Sequence, residues 1–338
     1  MKRMTYRTPR AGSLRRLTLV EEDIGPPADN EVAIAVKAIG LNFADVFTIL
    51  GLYKAAPKRD CVPGIEFSGV VTARGKTITD IPIGERVMGS IRFGGYTTHI
   101  NIDHRYVLPI PPEWSFEEGA SFIVQALTAY YALVPLGSVQ RNQTVLIHSV
   151  AGGVGVYANR IAKHFGAYTI GTVGRTSKIS VARAEGCDAV IVRGSDFPDR
   201  LRDALKGRPL DLVLDAVGGT IQRQSFRMLA PTGRLVAYGA SMFASHIATP
   251  NYLMLAWHYF HMPRYQTLNL IESNKSLLGF NLIWLYDRVE TWRSMLSAIQ
   301  ALHLQKPAVG ARFPFSQLKE AVRTLQSGTT TGKVVVNV

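Results

Sequence analysis

TVLIHSVAGGVG, residues 144–155, is the stretch that decides the fold. Its apolar start, Val145-Leu146-Ile147, reads as a buried strand, and Ala151-Gly152-Gly153 reads as a turn of small residues leading into a helix over Val156 to Gly166. The missing side chains at Gly152, Gly153 and Gly155, with Val154 between them, let backbone N–H groups approach a pyrophosphate at the helix N-terminus, where the helix dipole favours negative charge. Against a G-x-G-x-x-G pattern, the second and third glycines are Gly152 and Gly155, and Val150 stands at the first position. Alone, such a run also suits a purely structural tight turn. Tyr168 to Val173 (YTIGTV) then supplies the second strand that a strand–helix–strand nucleotide unit demands.

The residues past that second strand choose the cofactor. An NAD site carries Asp or Glu about twenty residues after the last glycine, to accept from the ribose 2′-hydroxyl. Here Gly174-Arg175-Thr176-Ser177-Lys178 stands in its place. Arg175 and Lys178 would pair with a 2′-phosphate through charge-assisted hydrogen bonds, which are roughly twice as strong as neutral ones. The sequence therefore predicts NADP(H), the plainer alternative being a solvated helix start. Arg193, after the apolar strand Ala189 to Val192, is a candidate third cation on that rim.

Composition bounds the rest. A chain of 338 residues, 47% hydrophobic and 19% charged, suits about two globular domains, and its formal charge of +13 attracts phosphate-rich or anionic partners without specificity. The longest apolar stretch expected, Tyr252 to Met262, is shorter than the roughly 20 residues a membrane-crossing helix needs. The basic N-terminus lacks the apolar core of a secretory signal, so a cytoplasmic location is expected. Cys61 and Cys187 are too few and too far apart for a disulfide framework or a zinc quartet.

Before residue 124, short alternating segments such as Glu31 to Ile39 and breaks at Pro63-Gly64 and Gly94-Gly95 read as an all-β module. From Gln125 onward, strands expected at 144–148, 168–173, 189–192, 210–215 and 233–238 alternate with helices, as in a doubly wound parallel sheet. The fourth strand runs into Val217-Gly218-Gly219 and the fifth into Gly239-Ala240; ligands of such sheets sit at these carboxyl ends, so both are expected on the cleft. A sixth strand at Ser276 to Phe280 and a helix around Val289 to Leu302 follow. A last strand, Lys333 to Val336, is placed to return to the first module. The expected division is residues 1–124 with 307–338 as the catalytic domain, and 125–306 as the nucleotide domain.

Over nearly its whole length the chain resembles the medium-chain dehydrogenase/reductase superfamily. The resemblance rests on GLNFAD (40–45), GLY (51–53), PGIEFSG (63–69), GERV (84–87), GGY (94–96), AGGVG (151–155) and TGKV (331–334). Within it the chain is similar to the zinc-independent quinone oxidoreductase branch and, through LNFAD, GIEFSG and LLGFNL (277–282), to the vesicle amine transport protein family. This implies an α/β fold of a GroES-like β-barrel catalytic domain plus a Rossmann domain. It also implies a homodimer paired through the edge strand at Ser276 to Phe280.

Departures from the zinc-dependent relatives set the expected chemistry. Asn42 stands where they carry a cysteine ligand and Ile65-Glu66 where they carry His-Glu, while catalytic zinc needs three protein ligands. No metal site is expected; His258 and His261, three apart on an apolar stretch, are assigned to buried or interface packing. Without a Lewis acid, conjugated acceptors are favoured, because the arriving charge spreads through their π system. The resemblance thus implies NADPH-dependent reduction of a quinone or α,β-unsaturated carbonyl. Alternatives are a 2-enoyl thioester reductase, or a non-enzymatic protein whose basic surface binds anionic lipid or nucleic acid. By the same resemblance, Asn42 orients nicotinamide or substrate, and Tyr53 donates a proton or simply packs in the barrel. Asp45, Thr128, Tyr131, Phe280 and Asn281 join the cofactor residues already named. The aromatic stretch around Trp257, Tyr259 and Phe260 is left between a pocket cap, a subunit contact and core.

Overall fold

β9 (Thr144–His148) lies near the middle of a six-stranded parallel sheet ordered β11–β10–β9–β12–β13–β14. The others are β10 (Tyr168–Val173), β11 (Ala189–Val192), β12 (Leu212–Asp215), β13 (Arg234–Ala237) and β14 (Ser276–Gly279). The computed structural model describes residues 1–243 and 249–338. All five residues of β9 are buried, which is why a strand covered by helices on both faces reads as an unbroken apolar run. The chain leaves β9 toward β10 and β11 on one side and returns to β12 on the other, so the strand order reverses between β9 and β12. Open sheets of this kind bind ligands at that crevice. His148, at the end of β9, is buried between the Thr172 and Ser225 hydroxyls, and burial pushes its imidazole down to about 3, so it stays neutral.

The first module is built on β3 (Glu31–Gly40), the hub of a seven-stranded sheet that also holds β5 (Glu66–Arg74), β6 (Arg86–Ser90), β7 (His99–Asp103), β8 (Val107–Pro109), β15 (Val309–Pro314) and β16 (Lys333–Asn337). A three-stranded sheet, β1 (Lys2–Arg10), β2 (Thr18–Asp23) and β4 (Arg59–Cys61), completes it. The expected return of the C-terminal strand is present: β16 lies antiparallel to β3, with Val335 opposite Gly40. Not every part of this module is β. α1 (Phe43–Ile49) and α2 (Phe116–Gly119) interrupt the strands. α1 forms because Val46, Ile49 and Leu50 repeat at helical spacing and are buried, and because Asp45 accepts from the Asn42 N–H at the helix start.

α3 (Ile123–Tyr131), α4 (Gly153–His164) and α10 (Val289–Gln300) cover one face of the parallel sheet around Leu127, Tyr157 and Trp292. α5 (Ile179–Ala184) adds Ala182 to that cluster, and α6 (Phe197–Leu205) packs Phe197 and Leu201 on the opposite face. α7 (Gly219–Met228), α8 (Tyr252–Phe260), α9 (Thr267–Ser273) and α11 (Leu318–Gln326) complete the set described. α4 begins at Gly153, three residues before the expected start, because its glycines are themselves helical. By length and composition Phe116–Leu136 is apolar enough to cross a membrane, but 72% of its most apolar window is buried in the fold as core around α3.

Candidate active site

The turn after β9 lies at the sheet's reversal point and is held in a shape that glycine permits. Ser149 takes a left-handed conformation (φ 57), a strained state for a non-glycine residue, and sends the chain into α4. A Cβ on Gly155 would stand 2.3 Å from the Ser149 carbonyl oxygen and 2.6 Å from Val150 Cα; one on Gly153 would stand 2.1 Å from Gln125 Oε1. The third glycine of the pattern is thus what lets helix and strand touch. Two cations line the same end. Lys178 donates to the Thr330 carbonyl, and Arg193 to the hydroxyls of Thr172 (3.0 Å) and Ser149 (3.4 Å). Burial lowers the pKa of both, and the charges of Arg193 and Arg175 add to the lowering at Lys178. Neutral acceptors holding mutually repelling cations suit a phosphate dianion. The glycine cradle and this cation pair therefore fit a 2′-phosphorylated dinucleotide.

The cleft has a volume of about 1010 Å³ and is lined by both modules. Of the residues expected on it, Asn42, Tyr53, Thr128, Gly152, Gly153, Val154, Gly155, Gly174, Lys178, Arg193, Gly239, Ala240, Phe280 and Asn281 do line it. Four do not. Asp45 is buried behind the wall, and Arg175 is exposed. Tyr131 packs edge-on against Phe280 at 4.9 Å, and the Val217 N–H is spent on Asp215 Oδ1. The Tyr53 hydroxyl donates to Asn281 Oδ1 across the cleft (2.7 Å), and burial pushes its phenol up to about 12, so it remains a proton-bearing donor at neutral pH. α8 has no buried residue, which removes the core reading of its aromatics. Tyr252, Tyr259 and Phe260 edge the cleft, whereas Leu253 and Trp257 face outward. His258 and His261 on this segment are likewise not buried.

The cleft floor holds a cluster that the sequence reading did not assemble. Lys333 Nζ donates to Glu66 Oε2 and to Asn42 Oδ1, each at 2.7 Å. Gln125 Nε2 donates to the same two groups, at 3.1 Å to Glu66 Oε2 and 3.2 Å to Asn42 Oδ1. Glu66 Oε1 accepts from the Val124 N–H at 2.9 Å. Burial pushes the Glu66 carboxyl up and the Lys333 ammonium down, and the opposite charge of each resists the other's shift.

Asp45 lies beside this floor. Its Oδ2 accepts from the Asn42 N–H (2.8 Å) and the Tyr96 hydroxyl (3.1 Å), and its Oδ1 is buried without a partner. Burial pushes its carboxyl up to about 7, only partly offset by those hydrogen bonds and by Lys333. A carboxyl with a folded pKa near 7 and an unfolded one near 3.9 binds more protons when folded. Its stabilising contribution is complete below about pH 4 and is lost as pH rises through about 7, by a sum on the order of 4 kcal/mol. Urea unfolding at pH 5 and pH 8 should show about two-thirds of that loss in the wild type and a flatter profile in Asp45→Asn. Parallel profiles would refute it.

The comparisons with known proteins agree with this architecture. Residues 28–112 match the alcohol dehydrogenase GroES-like domain family, and residues 153–301 match the zinc-binding dehydrogenase family. The chain belongs to the medium-chain dehydrogenase/reductase superfamily, in its zinc-independent quinone oxidoreductase branch. It is 33% identical over 319 residues to the synaptic vesicle membrane protein VAT-1 homolog of Danio rerio, spanning 92% of this chain and 65% of that one. Among solved structures it is similar to the human VAT-1 homolog-like protein (TM-score 0.85, 26% identity, 100% of this chain and 98% of that one). It is also similar to an Escherichia coli quinone oxidoreductase complexed with NADPH (TM-score 0.83, 27% identity, 100% of both chains).

One superfamily feature does not fit this member. The description of the second matched family implies zinc, yet the side chains at the corresponding floor are two amides, one carboxylate and an ammonium. A zinc ion needs three N, S or O protein ligands, and here the single carboxylate is already paired with Lys333. Among the described residues no group of three His, Cys, Asp or Glu could hold a metal. Lys333, Gln125, Glu66 and Ser149 are therefore the site residues that sequence reasoning missed. A signal was available for Lys333: it opens the apolar run Val334-Val335-Val336 on a strand where its own side chain is also buried.

Proposed function

We propose that this protein is an NADPH-dependent reductase of quinones or α,β-unsaturated carbonyls. The observation that carries the reading is the union, in one cleft, of a 2′-phosphate-compatible dinucleotide wall with an apolar pocket over a floor whose positive charge is an ammonium. Gly152 and Gly153 would receive the pyrophosphate, Lys178 and Arg193 the 2′-phosphate, and NADPH when bound supplies the hydride. Phe43, Phe47, Leu52, Ile65, Ile91 and Leu282 line the cleft and suit a flat conjugated acceptor, excluding water from it. Two-electron reduction of an enone leaves an enolate that needs a proton; the Tyr53 phenol, which lines the cleft and is hydrogen-bonded to Asn281, would be its donor.

The test is NADPH consumption with a panel of quinones, enones and enoyl thioesters, with NADH as the control cofactor. Turnover with quinones or enones, and at least about tenfold higher kcat/KM with NADPH than NADH, is expected; preference for thioesters would move the reading to a 2-enoyl thioester reductase. No acceleration by any acceptor would refute it. In the same panel Tyr53→Phe should lower enone kcat by about 100-fold, in line with loss of a general acid. Quinone turnover should fall much less, because a hydroquinone anion is a weaker base and can draw its proton from water. Equal losses for the two classes would remove Tyr53 from proton transfer.

A further inference from the structure

Asn42 can present a donor to the cleft only if its amide is held one way round. Its Oδ1 accepts from both Lys333 Nζ and Gln125 Nε2, and one of its two Nδ2 hydrogens is given to the Gly40 carbonyl at 3.1 Å. A flipped amide would set its NH2 group against an ammonium and a second NH2 group, which the donor inventory of these side chains forbids. The second Nδ2 hydrogen is thereby left for a ligand in the cleft that Asn42 lines.

The ammonium responsible is itself fixed from two directions. Glu66 holds it, and β16 carries it past the glycine turn: the Gly332 N–H donates to the Ala151 carbonyl at 2.8 Å, and Gly332 bridges to Gly152 in parallel register. Lys333 follows immediately and lines the cleft, its side chain only 4% exposed. The turn suited to the pyrophosphate and the residue that carries the charge at the floor are therefore joined by one backbone segment, with the ammonium itself held by Glu66 and Asn42.

Resting on the reductase reading above, we propose that Lys333 is a positioning residue of the reducing site: it locks the Asn42 amide as a donor and keeps a preorganised positive charge at the cleft floor. Charge fixed in a water-poor site acts on charge that develops there without reorganisation, which is how an oxyanion is stabilised in the absence of a metal. The same charge discriminates between the two forms of the cofactor, because the oxidised nicotinamide ring is cationic and the reduced ring is neutral. It favours NADPH over NADP⁺ before any substrate enters.

The affinity ratio reads the charge without turnover. Dissociation constants for NADPH and NADP⁺ would be measured by nicotinamide fluorescence and competition on wild type, Glu66→Gln, and the double variant Lys333→Met/Glu66→Gln, which removes both charges at similar volume. Glu66→Gln leaves the ammonium uncompensated and is expected to raise the preference for NADPH by about threefold or more. The double variant is expected to lower it by about tenfold, with kcat down about 100-fold and acceptor KM within about threefold. A merely structural lysine predicts a ratio within twofold in all three, and that result overturns the proposal, as does a double variant with wild-type kcat. If the double variant does not fold, the direction of the Glu66→Gln shift decides. If wild type reduces no acceptor in the panel, the reductase reading fails while the affinity ratio still rules on Lys333.

Discussion

Gly155→Ala is expected to abolish NADPH binding, raising Kd by at least about 100-fold, and to destabilise the nucleotide-binding module by several kcal/mol. The methyl group would lie 2.3 Å from the Ser149 carbonyl oxygen and 2.6 Å from Val150 Cα. Both are backbone atoms of the turn between β9 and α4, so no rotamer change relieves the contact. α4 must back away from the sheet. That motion disperses the N–H groups at its start, and it opens contacts made by Val156, Ala158 and Ile161, which are buried. Two other glycines provide a graded control. At Gly152 the added Cβ meets only the Ser149 carbonyl oxygen, at 3.3 Å, and at Gly25 it meets nothing within 4 Å. Unfolding midpoints should therefore fall steeply for Gly155→Ala, slightly for Gly152→Ala, and within about 0.5 kcal/mol of wild type for Gly25→Ala. Calorimetric NADPH binding retained in Gly155→Ala would contradict this account of the turn.

This ordering explains why one half of the site was legible in the chain and the other was not. The glycine turn, the strand before it and the strand after it lie within about thirty residues. Each is specified by local requirements: apolar residues for a buried strand, absent side chains for close approach, cations where a carboxylate would repel phosphate. Such requirements leave a mark at the position itself. The floor cluster has no local mark of this kind. Lys333 meets Glu66 across 267 residues and Asn42 across 291, and its partners are set by the antiparallel pairing of β16 with β3. Comparison with zinc-dependent relatives exposed what Asn42 and Glu66 are not. It could not show that a lysine from the last strand bonds to both of them. Arg175 differs from its neighbours: it lies close enough to Lys178 for its charge to act there, yet the turn that follows β10 leaves it exposed while Lys178 and Arg193 line the cleft.

Because the floor pair is buried, removing one member alone should cost far more than removing both. Glu66→Ala is expected to lower stability by about 3–5 kcal/mol, the range found when a buried ion pair loses a single partner. Three donors lose an acceptor at once: the Val124 N–H, which is left with none, and Gln125 Nε2 and Lys333 Nζ, which are left to share Asn42 Oδ1. The pH dependence supplies an independent check. Burial already lowers the Lys333 pKa, and without Glu66 only the Asp45 carboxyl, which makes no ion pair with it, resists that lowering. A lysine with a depressed folded pKa binds fewer protons folded than unfolded, so its stabilising contribution is present above the unfolded pKa near 10.4 and is lost as pH falls through the folded value. The deficit of Glu66→Ala relative to wild type should therefore shrink from pH 7 toward pH 10 in urea unfolding. A pH-independent deficit would mean that the loss comes from the cavity and the unsatisfied amides. The neutral double variant Lys333→Met/Glu66→Gln avoids the stranded charge, and buried pairs replaced by uncharged side chains of similar volume are often close to neutral in stability. Its unfolding midpoint should lie nearer to wild type than that of Glu66→Ala. What the pair contributes would then be charge at a chosen place in the cleft, retained for chemistry at little net gain to the fold.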